Sequence, residues 1–159
     1  MHEGSIGSIL VAGLLMGVAG CAPQDAPEPE QGATEEEAVL QAEGVFDPAG
    51  FDTIAWDTEQ AAIDRGALVF RVSCSKCHGP SGRGDGGFVV EGDTLRPPSL
   101  VDPDWRFADD PTGLREQIFV GTAAGMPHWG LEGLKYRDID AVARFVTLWL
   151  RREERQANR

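Results

Sequence analysis

The 159-residue sequence predicts an all-α domain built from three to four short helices. Three observations carry that prediction. Ile139, Val142, Ala143, Val146, Trp149 and Leu150 fall at i, i+3, i+4, i+7, i+10 and i+11, the single apolar stripe of an amphipathic helix. Asp110-Pro111 reads as an N-cap followed by proline at the first helical position, opening a helix that stops at Gly121. Asp57 followed by Gln60 reads as a capping box in front of the helical segment Ala61 to Phe70.

The last of these helices has Lys at position 135, where a Ser or Thr cap would be expected, so its start is less sharply marked. Arg151, Arg152 and Arg155 stand at its C-terminal end, where positive charge favours the helix dipole. The same arginines are exposed candidates for contact with a partner.

Charge divides the chain in two. It carries 14 Lys and Arg against 26 Asp and Glu, a formal charge of −12, and lacks the basic face a nucleic-acid partner requires. Eleven acids and no base lie between Ala22 and Gln60. From Ala61 onward 14 acids balance 14 bases, so the acidity belongs to an N-terminal segment.

Ser5 to Gly20 is an apolar, small-residue run, short for a bilayer span of about 20 residues but suited to a signal-peptide core. It ends Val18-Ala19-Gly20-Cys21, which resembles a bacterial lipobox, and Cys21 is the expected lipidation site. Met1 to Gly4 carries no Lys or Arg, a departure from the usual export signal. Residues 21–56 read as an acidic, Pro- and Glu-rich flexible tether. Val45, Phe46, Phe51, Ile54 and Trp56 are too apolar for a pure linker and are expected to dock on the domain or on a partner. The expected organisation is a signal peptide over 1–20, a tether over 21–56, a folded domain over 57–155 and a tail over 156–159.

The chemistry lies in Cys74-Ser75-Lys76-Cys77-His78, a C-x-x-C-H motif of c-type haem attachment. Two thiols separated by two residues can reach the two vinyl groups of one porphyrin, and the adjacent His78 then falls under the iron. The competing readings are a thioredoxin-type redox pair and half of a zinc site. An amphipathic helix precedes the motif, whereas a thioredoxin motif follows a strand. A zinc site lacks further ligands, His128 being the one candidate left. Of the three cysteines, Cys21 takes lipid while Cys74 and Cys77 take haem, so no disulfide is expected.

About 100 residues around the motif resemble a class I, mono-haem cytochrome c. Gly66 and Phe70 match the glycine and aromatic that meet the last helix, where Phe145 is the facing aromatic. Gly79-Pro80-Ser81-Gly82-Arg83-Gly84-Asp85-Gly86 is similar to the glycine-rich loop after the haem motif. Its resemblance to a dinucleotide fingerprint fails, because no strand leads in and no helix follows. Gly121-Thr122-Ala123-Ala124-Gly125-Met126-Pro127-His128-Trp129 is similar to the segment that supplies the second axial ligand. The resemblance makes Met126 that ligand and His128 its weaker rival.

It also makes Pro98 the carbonyl that orients the proximal histidine. Leu100 becomes a packing residue on the haem face, and Arg96, Trp105 and Arg106 become candidate propionate partners. The implied fold is a small cytochrome c-type domain of three to four helices wrapped round one covalent haem c. The implied function is one-electron transfer by a carrier or tethered subunit that is exported and lipid-anchored, facing the periplasm or cell exterior. Its partners would be a quinol-oxidising complex, a terminal oxidase or a dehydrogenase, as in the tethered cytochrome of alternative complex III. The alternatives are a haem enzyme whose Met126 detaches, and an electron-accepting subunit of a dehydrogenase.

Overall fold

A computed structural model describes residues 33–90, 92–157 and 159. Helix α2, Glu59–Val69, starts at Thr58, whose extended backbone and side chain make the cap; its hydroxyl accepts from the Ala61 amide at 3.1 Å. The cap is therefore Thr58 and not Asp57, and Gln60 turns along its own helix to donate to Asp64. The helix continues through a π turn, Phe70–Cys74, into α3, Ser75–His78, and ends at Gly79 with φ 76°.

A two-residue hairpin pairs β1, Val89–Val90, with β2, Asp93–Thr94, a small exception to the all-α reading. Helix α4, Pro111–Val120, has the predicted start, with Asp110 accepting from the Gly113 amide at 2.8 Å, and the predicted end at Gly121. Helix α5, Tyr136–Arg144, begins at Lys135 without a side-chain cap. It runs through a second π turn, Phe145–Leu150, into α6, Arg151–Ala157, which extends into the segment read as a tail.

The crossing of α2 on α5 organises the core. A Cβ on Gly66 would lie 2.1 Å from the Ala141 carbonyl oxygen, so the two backbones approach where only glycine fits. Beside that point the rings of Phe70 and Phe145 meet at 5.4 Å. Ile139, Val142, Ala143, Val146 and Leu150 are buried as their spacing predicts, and Trp149 is half-buried.

The segment read as the end of a tether is folded. Helix α1, Glu35–Val45, opens with a capping box between Thr34 and Glu37. Val39, Ala42 and Phe46 share one face at i, i+3 and i+7 and pack on the core, with Ala42 fully buried. Phe46 lies 5.2 Å from Phe119, and a 3-10 turn, Pro48–Phe51, brings Phe51 edge-on to Tyr136 at 4.8 Å. The Trp56 indole donates to Asp140 at 2.7 Å. Ala33–Arg159 thus forms one unit, and the folded domain starts near residue 33 instead of residue 57. Phe46, Phe51 and Trp56 thus dock on the domain itself, whereas Val45 stays exposed. Residues 1–32, with the expected signal peptide, Cys21 and the acidic Pro-rich stretch, lie outside the described residues.

Two charged residues have become interior. Asp140, in the middle of the α5 stripe, accepts from Trp56 and Arg144 and pairs with Arg115, which offsets the cost of burying its charge. Arg151 is buried, not exposed, and donates to the carbonyls of Leu100 and Asp102, both at 2.8 Å. Burial and the neighbouring Arg155 both lower its pKa.

Candidate haem-binding site

The π turn in the helix before the motif ends on Cys74, and α3 carries Cys77 and His78 to the wall of an apolar cavity of about 360 Å³. The cavity volume falls in the usual range for small-molecule and cofactor pockets. Every predicted site residue within the described chain lines it: Cys74, Cys77, His78, Arg96, Pro98, Leu100, Trp105 and Met126, with Arg106 beside them. Cys21 lies outside the described residues. Sequence reading missed the cavity's back wall, Leu114 and Ile118 of α4 with Val142 of α5 and Val146 of the second π turn. The i, i+4 spacing of Leu114 and Ile118 is the signal that marks the α4 part of it. Gln117 also lines the cavity while its side-chain amide donates to the Gly121 carbonyl.

The motif side is fastened by backbone. The Gly84 amide donates to the His78 carbonyl at 2.8 Å and the Gly86 amide to the Cys77 carbonyl at 3.1 Å. The Leu100 amide donates to the Gly82 carbonyl at 2.7 Å, tying the glycine loop to the Pro97–Leu100 segment. Gly84 has φ 78°, and a Cβ on it would lie 2.2 Å from the Pro97 carbonyl oxygen. The glycine pattern is thus a requirement of close backbone approach.

Burial governs both thiols. Burial pushes the Cys74 thiol up to about 12, with the neighbouring Cys77 adding to the rise. Burial also raises Cys77, against a smaller opposite pull from Lys76. A thioredoxin-type nucleophile needs a lowered thiol pKa. Among the described residues no group of three or more His, Cys, Asp and Glu side chains is placed to hold a metal ion.

Burial lowers the His78 pKa, so the imidazole is neutral and available as a ligand at neutral pH. The Pro98 backbone opposes that shift by raising it, yet Nδ1 makes no hydrogen bond of standard geometry. Distance and angle decide such a bond, so Pro98 stands beside the ring as a near acceptor and not as an established partner.

Across the cavity, Met126 sits on a loop that begins where α4 ends. The Thr122 amide donates to the Met126 carbonyl at 3.0 Å, and the Met126 amide to the Thr122 hydroxyl at 3.2 Å. His128 is buried behind this loop and does not line the cavity. Its Nδ1–H donates to the Val120 carbonyl, and its place outside the cavity lining, not that bond, separates it from Met126. Two thiols, a neutral imidazole and a thioether around one apolar cavity are the donor set of a covalently attached haem.

The family described as cytochrome C oxidase, cbb3-type, subunit III matches residues 61–146, just over half of the chain. The chain is 31% identical over 114 residues to the cbb3-type cytochrome c oxidase subunit CcoP of Rubrivivax gelatinosus, covering 72% of this chain and 33% of that protein. It is 34% identical over 70 residues to subunit FixP of Sinorhizobium medicae, covering 44% and 20%. It is 32% identical over 72 residues to CcoP of Azospirillum brasilense, covering 45% and 23%. The chain therefore spans a third or less of the length of these curated relatives. No solved structure matches it.

Proposed function

Because the chain belongs to the cbb3-type subunit III family of cytochrome c domains, which bind haem c, we propose that it is a membrane-tethered mono-haem cytochrome that passes single electrons in a respiratory chain. The supporting observation is the cavity that gathers Cys74, Cys77, His78 and Met126 on its walls. Cys74 and Cys77 would form the thioethers to one haem, and His78 and Met126 would ligate its iron. Arg96, Trp105 and Arg106 would hold the propionates, Leu100 would pack against the ring, and the Pro98 carbonyl would orient the His78 imidazole.

When bound, the haem iron supplies a centre that changes by one electron. Its surroundings are this chain's work. The apolar walls exclude water, His78 holds a neutral nitrogen in place, and Met126 offers a soft sulfur that raises the potential relative to a second histidine. Two protein ligands leave no position for a substrate, which supports a carrier role over a haem enzyme. The names of the relatives favour a terminal oxidase as the electron acceptor. Export to the periplasm or cell exterior and lipidation at Cys21 complete the proposal, on the strength of the Val18-Ala19-Gly20-Cys21 sequence.

The test is the mature protein purified from membranes of a cell that attaches haem c. One covalent haem per chain, a low-spin spectrum with a sulfur-to-iron charge-transfer band, and a lipidated N-terminal Cys21 peptide are the expected findings. A colourless protein, or a high-spin five-coordinate iron, overturns the reading.

A further inference from the structure

The α1 segment packs through Phe46 on the end of α4, where the loop that carries Met126 begins, and its first residue, Glu35, approaches the stem that returns. The first stem leaves α4 at Val120, and the second returns through His128 to Gly130. Phe46, just after α1, packs its ring on Phe119 at 5.2 Å. Phe119 in turn fills the space at Gly130, where a Cβ would lie 2.5 Å from the Phe119 ring. At the other end of α1, Glu35 places its carboxylate 3.4 Å from His128 Nε2, without hydrogen-bond geometry. His128 itself closes the base of the loop by donating to the Val120 carbonyl.

The energies of these contacts are unequal. The Glu35 carboxylate is exposed, and such a pair contributes little. The apolar contacts of the fully buried Ala42 and of Phe46 carry the docking. The loop is closed by the Thr122–Met126 bonds across its neck, by the Gly125 amide on the Thr122 carbonyl at 3.1 Å, and at its base by the Gly130 amide on the Phe119 carbonyl at 3.0 Å, while Ala123, Ala124 and Gly125 at its tip are exposed and Gly125 stands at φ 100°. The motif side is tied to neighbouring backbone at Gly82, Gly84 and Gly86.

We propose that α1 is a positioning element for Met126: it clamps the two stems of the loop and so holds the thioether at the cavity wall. The inference rests on Met126 as the second axial ligand. The segment that continues into the N-terminal stretch is thereby coupled to the ligand that sets the potential.

The experiment uses full-length haem-loaded protein as wild type, Ala42→Glu and Phe46→Ala. Ala42→Glu places a charge at a fully buried contact and lifts α1, and Phe46→Ala is the milder change should the first fail to fold. Two quantities are read, the sulfur-to-iron charge-transfer band of the oxidised protein and amide hydrogen exchange. The clamp predicts that the band weakens or disappears and that the Thr122 and Met126 amides exchange faster. The Gly84, Gly86 and Leu100 amides keep wild-type protection. An unchanged band with α1 shown to be detached, by rapid exchange at Ala38 and Phe46, overturns the clamp. So does equal loosening on both sides of the cavity, which marks a general stabilising role. A wild-type protein without the band overturns Met126 ligation itself, and the clamp falls with it.

Discussion

The two walls of the cavity are both closed by backbone bonds and differ in what lies behind them. The Cys74–His78 wall is secured by short-range backbone bonds, to glycines that follow the motif within eight residues and to the Pro97–Leu100 segment. The Met126 wall is backed by side chains from a segment some eighty residues earlier in the chain. Backbone bonds and glycine conformations leave a local signature in sequence. Packing at long range does not, because each partner reads as an unremarkable apolar residue.

Substitutions of graded severity sharpen that contrast. Gly84→Ala forces a left-handed residue against the Pro97 carbonyl and should destabilise the protein by about 4 kcal/mol. Thermal unfolding should show the loss, together with poorer haem attachment and a sulfur band unaltered in whatever protein folds. Arg151→Met removes two bonds to buried-side carbonyls that hold Leu100 and Asp102, at roughly 3 kcal/mol. Denaturant titration measures it, and the motif wall should loosen before the Met126 wall.

Phe46→Ala acts on the opposite wall and, for a half-buried ring, should cost about 2 kcal/mol. Its mark should be a lowered midpoint potential in redox titration with the thioethers intact. Asp138→Asn breaks the pair with the half-exposed Arg65 and should cost at most about 1 kcal/mol, with no spectral change. A larger effect there would mean that the α2–α5 crossing depends on surface charge and not on the Gly66 contact.

Much of the site was legible beforehand. C-x-x-C-H and the Met126 segment are local patterns that bring their side chains to one cavity, and the glycine loop is a local pattern that fastens the first of them by backbone bonds. Helix α4 was legible because Asp110-Pro111 and Gly121 mark both its ends chemically. The start of α2 was read one residue early, since Asp57 and Thr58 are both good caps and only backbone conformation chooses between them. Helix α1 was hidden by its composition. Its docked face is only Val39, Ala42 and Phe46 within a glutamate-rich stretch, and the energy comes from Phe119, Tyr136 and the core. Asp140 and Arg151 were hidden for the converse reason, that charged residues on a helix read as solvated until their partners are known.

With the lipid proposed on Cys21, the folding of residues 33–56 onto the domain would also set how far the haem cavity could stray from the membrane. Eleven residues lie between Cys21 and Ala33, and the twelve residue steps of that stretch reach at most about 43 Å. A leash of that length would confine the domain to a thin shell over the bilayer, where a membrane-bound partner within range would be met at an effective concentration on the order of millimolar. Contacts far too weak to survive in free solution would then suffice for turnover, and the same shortness would bar exchange with distant acceptors.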